Sequence, residues 1–295
     1  MKRIMLLGGN GLIGRHLMST LSDYEWITVG RHPTSNHFWS IDSPFPSHLL
    51  DRVDHVINLI GVPIMDQRWT SQRWVELKYS RVQSTQGVVD GIIQAALGRD
   101  IHVLNASAIG YYEWDVPVTE ASLAGTHPIA SLVQQWERPL TMGGPFIETR
   151  LRFGIILASD GGAFPQLNQL AKWGLGGQQG SGQQWVSWVH IQDVVAAIDH
   201  CLKNGVTGPV NIVTPHPVTN ATWMTHIRNG VGMRWGLPAP AWGMQLALGQ
   251  RADMILRGHH VSPLRLLETG FNYQFLMSDD AIRDVGGVGN GDATG

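Results

Sequence analysis

Short runs of apolar residues alternate with segments of helical spacing over the first half of the chain. The predicted strands are residues 3–7, 26–29, 38–41, 55–59, 102–106 and 147–157. Between them, residues 11–21 and 72–96 carry apolar side chains near every third or fourth position, which predicts helices. A further helix is predicted from Leu132, and Pro139 should end or kink it. This alternation is typical of a parallel sheet covered on both faces, so we predict a doubly wound α/β fold of the Rossmann type.

The pattern changes after Leu157, where a Ser-Asp-Gly-Gly turn and a segment rich in Gly, Gln and Ser follow. We expect the later segments to cover the carboxyl ends of the strands, because α/β sheets bind ligands there. The predicted units are a dinucleotide-binding domain of residues 1–158, to which residues 190–212 return, a smaller C-terminal substrate lobe of residues 159–189 and 213–284, and a flexible tail of residues 285–295.

Composition narrows the classes of function. The chain has 295 residues, a net charge of −2 and an isoelectric point of about 6.7, so no basic field favours nucleic acid or an anionic membrane surface. The single cysteine, Cys201, excludes an intramolecular disulfide, and the thirteen histidines have no metal-ligand spacing, so no metal is expected. The first apolar run is too short for a signal peptide or a membrane span, so we expect a cytoplasmic protein. A monomer and a homodimer both stay open.

Three glycines follow the first predicted strand at three-residue spacing. Gly8 would let the chain turn sharply, Gly11 would let backbone approach a pyrophosphate at the helix N-terminus, and Gly14 would let helix press on strand. Because strand, turn and helix agree, we expect a dinucleotide cofactor here and not a plain strand-to-helix turn. The predicted contacts of this loop are Gly8, Asn10, Gly11, Leu12, Ile13 and Gly14.

The end of the second strand indicates which nicotinamide cofactor binds. An NAD-binding chain usually carries Asp or Glu there, whereas residues 29–32 read Val-Gly-Arg-His. Arg31 could pair with a 2′-phosphate and stack on adenine, although a solvated surface arginine is the alternative. We therefore predict NADP(H), with contacts at Gly30, Arg31 and His32. Asp42 could contact the adenine amine or be an ordinary turn residue.

Ordered motifs run through residues 1–284. They include Gly-Gly-Asn-Gly-Leu-Ile-Gly at 8–14, Asn-Leu-Ile-Gly at 58–61, Ser-Ala-x-Gly-Tyr-Tyr at 107–112 and Trp-Val-His-Ile-x-Asp at 188–193. On these motifs the chain resembles the extended short-chain dehydrogenases/reductases, and within them the epimerase family proteins, also labelled nucleoside-diphosphate-sugar epimerases. The resemblance implies an NADP-binding fold with a small substrate lobe. It also implies cofactor contacts at Leu59, Ile60, Gly61, Glu76, Arg81 and Leu157.

The usual catalytic pair of that superfamily is missing. Typical members use a serine together with a tyrosine that has a lysine four residues later. No tyrosine in this chain has that lysine, and the expected positions hold Ile129 and Val133. The remaining candidates for catalysis are Ser107, Tyr111 and Tyr112, although an unassisted tyrosine is a poor acid–base group near neutrality. A turn role for the serine and simple packing for the tyrosines are the alternatives.

Two functions stay open at this point. The first is an NADP(H)-dependent oxidoreductase or epimerase that acts on a small polar, sugar-nucleotide-like substrate, and we favour it. The second is a catalytically silent NADP(H)-binding sensor, which the missing pair favours. Among the twelve tryptophans, Trp173, Trp185 and Trp188 could line a stacking pocket or be ordinary core residues.

Overall fold

The computed structural model describes residues 1–287. Its strands are β1 (Lys2–Leu7), β2 (Tyr24–Gly30), β3 (His37–Phe38), β4 (His55–Asn58), β5 (Ile101–Ala108), β6 (Pro117–Val118), β7 (Phe146–Phe153), β8 (Ile155–Ala158), β9 (Gly161–Gly162), β10 (Trp185–Val186), β11 (Trp188–His190), β12 (Gly208–Ile212), β13 (Val218–Thr219) and β14 (His260–Val261). Its α-helices are α1 (Leu12–Thr20), α2 (Ser71–Ala95), α3 (Pro128–Thr141), α4 (Phe164–Lys172), α5 (Ile191–Asn204), α6 (Asn220–Gly230), α7 (Ala241–Leu248), α8 (Asp253–Leu256), α9 (Leu264–Glu268) and α10 (Ser278–Val285). Residues 288–295 of the predicted tail lie outside the described residues, while Val285 ends α10 and is buried.

Seven strands form one parallel sheet in the order β12-β7-β5-β4-β1-β2-β3. Side chains of β1 alternate between its two faces. Ile4 and Leu6 pack with residues of α1 and α5, whereas Met5 and Leu7 pack with residues of α2. Because helices cover both faces, residues 4–7 of β1 are apolar on both faces of the strand. The predicted doubly wound Rossmann-type sheet is therefore confirmed.

The strand order reverses at β1. The chain moves from β1 outward to β2 and β3, and then crosses back to β4 on the other side of β1. In open α/β sheets this reversal leaves a crevice beyond the carboxyl ends of the two central strands. The loop after β1 and the loop after β4 therefore face each other across that crevice.

The predicted single strand 147–157 is wrong. β7 ends at Phe153 in the main sheet, and β8 pairs with β11 and β9 in a separate three-stranded sheet. Gly154 separates the two strands, and a Cβ atom there would lie 2.6 Å from the Ser187 carbonyl oxygen. The chain changes sheets at this residue because only glycine allows so close an approach.

The helix predicted from Leu132 begins one turn earlier. The His127 ring accepts a hydrogen bond from the Ala130 amide, and Pro128 occupies the first helical position, where its missing N–H costs nothing. Pro139 lies in the last turn, and the helix ends two residues later at Thr141.

A third apolar cluster lies beyond the main sheet. It contains Leu157, Phe164, Trp188, Trp223 and Ile282, with Trp188 fully buried.

Within residues 1–287, no helix is long and apolar enough to cross a bilayer. The same residues contain no group of three or more His, Cys, Asp or Glu side chains that could hold a metal ion.

Candidate functional site

A cleft of about 500 Å³ opens beyond the carboxyl ends of β1, β2 and β4. Its lining is Gly8, Gly9, Asn10, Gly11, Val29, Gly30, Arg31, His32, Pro33, Ser35, Trp39, Ile41, Leu59, Ile60, Gly61, Val62 and Ser80. The structure thus brings together nine predicted cofactor contacts: Gly8, Asn10, Gly11, Gly30, Arg31, His32, Leu59, Ile60 and Gly61.

The glycine loop forms the floor of this cleft. Gly8 has a φ of +79°, and a Cβ atom there would lie 2.9 Å from the Leu59 carbonyl carbon. A Cβ atom at Gly14 would lie 2.6 Å from the Gly9 Cα atom, so α1 presses directly on the loop. Gly11 caps α1 without a side-chain hydrogen bond. The first amides of the helix are therefore available to an anion, and the helix dipole favours one there.

Polar side chains connect this loop to the end of β2. The Thr34 hydroxyl donates to Asn10 Oδ1 at 3.0 Å and lies 2.8 Å from His32 Nδ1. Arg31 is exposed beside them and, among residues 1–287, forms neither an ion pair nor a side-chain hydrogen bond. A guanidinium with all its donors free, beside a histidine, can bind a phosphate group.

Seven predicted cofactor contacts do not line the cleft: Leu12, Ile13, Gly14, Asp42, Glu76, Arg81 and Leu157. Asp42 accepts a hydrogen bond from the Tyr79 hydroxyl at 2.6 Å. Glu76 pairs with Arg73 at 2.9 Å, and the Leu157 side chain is fully buried in the third cluster. Cofactor roles for these seven residues stay predictions.

Arg81 lies behind the cleft wall. Its guanidinium donates to the Val62 carbonyl at 3.0 Å and to the Leu77 carbonyl at 3.2 Å, and lies 5.2 Å from the Trp136 ring centroid. Burial lowers the pKa of Arg81 to about 10, so the group stays charged at neutral pH. Arg81 therefore holds the loop after β4 in place and adds positive charge near that wall of the cleft.

Several lining residues were not predicted: Gly9, Val29, Pro33, Ser35, Trp39, Ile41, Val62 and Ser80. Most of them flank predicted contacts in the sequence. The signal that could have found Val29 and Ile41 is their place at the ends of predicted strands, beside the crevice of the sheet.

A buried network lies at the carboxyl ends of β5 and β7. The Ser107 hydroxyl donates to Glu137 Oε1 at 2.5 Å. Arg152 donates from Nε to Oε1 at 2.8 Å and from Nη2 to Oε2 at 2.7 Å, which gives a bidentate pair. Arg150 adds a fourth contact to Glu137, at 3.2 Å. Ser107, Glu137 and Arg152 are each 2% exposed, so this carboxylate is neutralised inside the protein.

The two tyrosines lie against Arg152 in different ways. The Tyr112 hydroxyl donates to Asn211 Oδ1 at 2.7 Å and accepts from Arg152 Nη1 at 2.8 Å. Burial raises the pKa of Tyr112 to about 12. The Tyr111 ring is half-buried, and its centroid lies 3.5 Å from the Arg152 guanidinium carbon. The hydroxyls of Ser107 and Tyr112 are thus engaged in the interior, and catalytic roles for all three residues stay predictions.

Two side chains of α3, at the positions where we expect the usual tyrosine and lysine from the sequence, are packing residues. Ile129 and Val133 are 6% and 2% exposed on α3. Gly110 lies against Ile129, since a Cβ atom at Gly110 would lie 2.7 Å from Ile129 Cγ2. Neither side chain can transfer a proton, so any proton chemistry at this edge falls to other residues.

A second cleft, of about 480 Å³, has an aromatic lining. Its residues are Trp69, Thr70, Ser71, Trp74, Trp114, Pro128, Ile129, Gln250, Asp253 and Met254. Trp173, Trp185 and Trp188, which the sequence suggested could line a stacking pocket, do not line this cleft, and Trp188 is a core residue.

The chain resembles known proteins over almost its entire length. Residues 239–285 match the family model described as "Domain of unknown function (DUF1731)". Epimerase family protein Mb2239 of Mycobacterium bovis is 32% identical over 292 residues, which covers 95% of this chain and 96% of that protein. The crystal structure of human epimerase family protein SDR39U1 with NADPH has a TM-score of 0.88 at 30% identity, and covers 97% of this chain and 99% of that one.

A nucleoside-diphosphate sugar epimerase from Corynebacterium glutamicum is more distant. Its structure has a TM-score of 0.77 at 25% identity, and covers 97% of this chain and 58% of that one. Since the Mycobacterium bovis relative matches nearly end to end, the chain belongs to the epimerase family proteins, a branch of the extended short-chain dehydrogenases/reductases.

Proposed function

We propose that this protein is an NADP(H)-dependent oxidoreductase or epimerase that acts on a small polar substrate. The observation that carries the proposal is the cleft at the strand reversal, where Arg31 has no partner in the described part of the chain and no acid ends β2. An acid there would repel a 2′-phosphate, whereas a free guanidinium attracts it. When bound, the nicotinamide would supply or accept the hydride.

The cleft has the donor set that such a cofactor needs. The backbone of Gly8 to Gly11 would hold the pyrophosphate, because these residues line the cleft and three of the four have no side chain. Arg31 and His32 would bind the 2′-phosphate, with His32 oriented by Thr34. Val29, Trp39 and Ile41 offer apolar surface for the adenine ring.

We also assign the substrate lobe to residues 159–189 and 213–284, and the dinucleotide-binding domain to residues 1–158 with 190–212. The third apolar cluster supports this division, because most of its members lie in residues 159–189 and 213–284. In contrast, β12 joins the main sheet beside β7, and α5 packs on α1.

Tyr111 is the strongest candidate for the proton donor. Its ring lies directly against the Arg152 guanidinium. Within residues 1–287 its hydroxyl forms no hydrogen bond, unlike the hydroxyls of Ser107 and Tyr112, so its proton is available to a ligand. Ser107 and Tyr112 then act as positioning residues, because their hydroxyls bind Glu137 and Arg152. Arg152 in this assignment is also a positioning residue, because its guanidinium is paired with Glu137 and holds the Tyr111 ring.

Arg31→Ala is expected to weaken NADPH binding by about ten- to hundredfold and to leave NADH binding nearly unchanged. The reason is the loss of hydrogen bonds to a charged phosphate, worth about 1.5–3 kcal/mol. Calorimetric titration of wild type and variant with both cofactors measures this. Arg234→Ala, which removes another exposed arginine, is the matched control. Equal NADPH and NADH affinities in the wild type would contradict the NADP(H) assignment.

A catalytically silent NADP(H) sensor is the second candidate. Ile129 and Val133, packed where the usual tyrosine and lysine are expected, favour it.

Incubating the protein with NADPH and a metabolite extract distinguishes the two functions. For an oxidoreductase, NADPH fluorescence should fall with time, and for an epimerase, the NMR spectrum of the extract should change without net loss of cofactor. In either case Tyr111→Phe should slow the change by about 100-fold, the usual scale of general acid catalysis. Tyr24→Phe is the control, because that hydroxyl binds Asp199 on α5. Binding of NADPH or NADP⁺ with neither cofactor consumption nor any change in the NMR spectrum of the extract would favour the sensor, because an epimerase regenerates its cofactor but changes its substrate. An unchanged rate in Tyr111→Phe would remove the proton-donor assignment.

A further inference from the structure

The second cleft, here named the aromatic cleft, differs in chemistry from the cleft lined by the glycine loop and Arg31, here named the cofactor cleft. Three of its lining residues are the tryptophans Trp69, Trp74 and Trp114, and the ring centroids of Trp69 and Trp74 lie 5.1 Å apart. Trp114 stacks on the His127 ring at 3.8 Å with an interplanar angle of 8°, which holds its indole in one orientation. Preformed aromatic surfaces of this kind bind the flat faces of ring compounds.

Polar groups of the lining can bind hydroxyls. Thr70 and Ser71 begin α2, and the Thr70 Oγ1 accepts a bond from the Arg73 amide, so its own proton stays available. Gln250 adds an amide with both donor and acceptor atoms, and Asp253 adds a carboxylate. A ligand with several hydroxyl groups could bind all four.

Charge in the lining disfavours a phosphorylated ligand. Asp253 is the one charged residue among the lining residues, and it is an acid. The buried Arg73 is paired with Asp66 and Glu76. The buried Arg251 donates to the Met65 and Leu248 carbonyls. Diphosphate groups would meet the exposed Asp253 carboxylate here and no cation among the lining residues, and this like-charge repulsion disfavours their binding.

One loop joins the two clefts. Leu59, Ile60, Gly61 and Val62 line the cofactor cleft at its start, and Trp69 lines the aromatic cleft near its end. Arg73 donates to the Pro63 carbonyl and so holds this loop on the first turn of α2. The segment of residues 59–70 therefore contributes lining residues to both clefts.

We propose that the aromatic cleft is the substrate site, and that its substrate is an uncharged, hydroxylated ring compound and not a nucleoside diphosphate sugar. The claim that the ligand is a substrate rests on the proposed function. The ligand selectivity of the cleft depends only on the residues that line it. Binding without turnover therefore tests it separately from the reaction.

Three probes that share one phenyl ring give the test: phenyl β-glucoside, phenyl phosphate and phenyltrimethylammonium. Calorimetry and saturation-transfer NMR on the protein, with and without NADPH, should show the glucoside binding at least about tenfold more tightly than either ion. UDP-glucose should not displace it at equal concentration. Trp74→Ala and Gln250→Ala should each weaken glucoside binding by about tenfold, since each removes a contacting group.

Trp242→Ala is the matched control, because that indole is 72% exposed and lies outside the lining. Its glucoside affinity should equal that of the wild type. Gln250 is an exposed residue, so its variant keeps the test valid if Trp74→Ala does not fold. Tighter binding of either ion, displacement by UDP-glucose, or wild-type glucoside affinity in both cleft variants would overturn the proposal. Failure of NADPH to bind would instead count against the proposed function, since the probes are also measured without it.

Discussion

Replacing Arg152 with methionine is expected to lower the free energy of unfolding by about 3–5 kcal/mol. Arg152 and Glu137 are each 2% exposed and form a bidentate pair. Removing the guanidinium would leave the carboxylate buried with only the weaker Arg150 contact and the Ser107 hydroxyl. An uncompensated buried charge is far more costly than the loss of one contact. Urea unfolding of the wild type and the variant measures the difference, provided that both proteins have the same m value.

Two further variants identify the cause of that loss. Arg283→Met removes an arginine that is 56% exposed and pairs with Asp279 and Asp280 on the surface of α10, so it should cost less than about 1 kcal/mol. Adding Glu137→Leu to Arg152→Met removes the stranded carboxylate, and the double variant should be more stable than the single one. A double variant that is less stable than the single one would contradict an electrostatic origin.

The position of this network gives the stability prediction a functional meaning. It joins the ends of β5 and β7 to α3, and the Tyr112–Asn211 bond extends it to β12. These strand ends are the edge at which an α/β sheet binds ligands. Loss of Arg152 should therefore disturb the orientation of Tyr111, whose ring lies against the guanidinium.

Local patterns explain why the cofactor cleft could be predicted. The glycine loop, β1 and α1 are adjacent in the chain, and their geometry follows from a few neighbouring residues. The end of β2 was found in the same way. The parallel sheet was predicted from the alternation of apolar runs with helical segments, because a parallel strand that is buried on both faces can be recognised from a short apolar run.

Contacts between distant residues explain what the sequence left open. Tyr112 and Asn211 are 99 positions apart, and Ser107 and Glu137 are 30 apart, so no spacing rule connects them. The break at Gly154 depends on the approach of Ser187 from a later segment. The aromatic cleft likewise combines Trp69 and Trp74 with residues of the C-terminal part, which only the tertiary fold brings together.

Lowering the pH from 6.5 to 4 is expected to remove about 3 kcal/mol of stability through His102 alone. The Thr149 hydroxyl donates to the Val206 carbonyl at 2.5 Å, so His102 Nε2 must donate to Thr149 Oγ1 at 2.7 Å. Burial, and secondarily the neighbouring His55, lower the pKa of His102 from 6.5 to about 4. Between these two values the unfolded chain binds more protons than the folded one, so unfolding becomes more favourable as the pH falls.

His102→Gln keeps a side-chain donor for Thr149 but removes the titrating ring. The stability of this variant, measured by urea unfolding across the same pH range, should therefore fall by about 3 kcal/mol less than that of the wild type. His48→Gln, at an exposed position, should retain the full wild-type pH dependence. Because the folded group is half protonated at its pKa of about 4, the His102 contribution should level off below that pH and be complete about one pH unit lower. A loss that is equal in all three proteins would mean that His102 is not the group whose protonation destabilises the fold in acid.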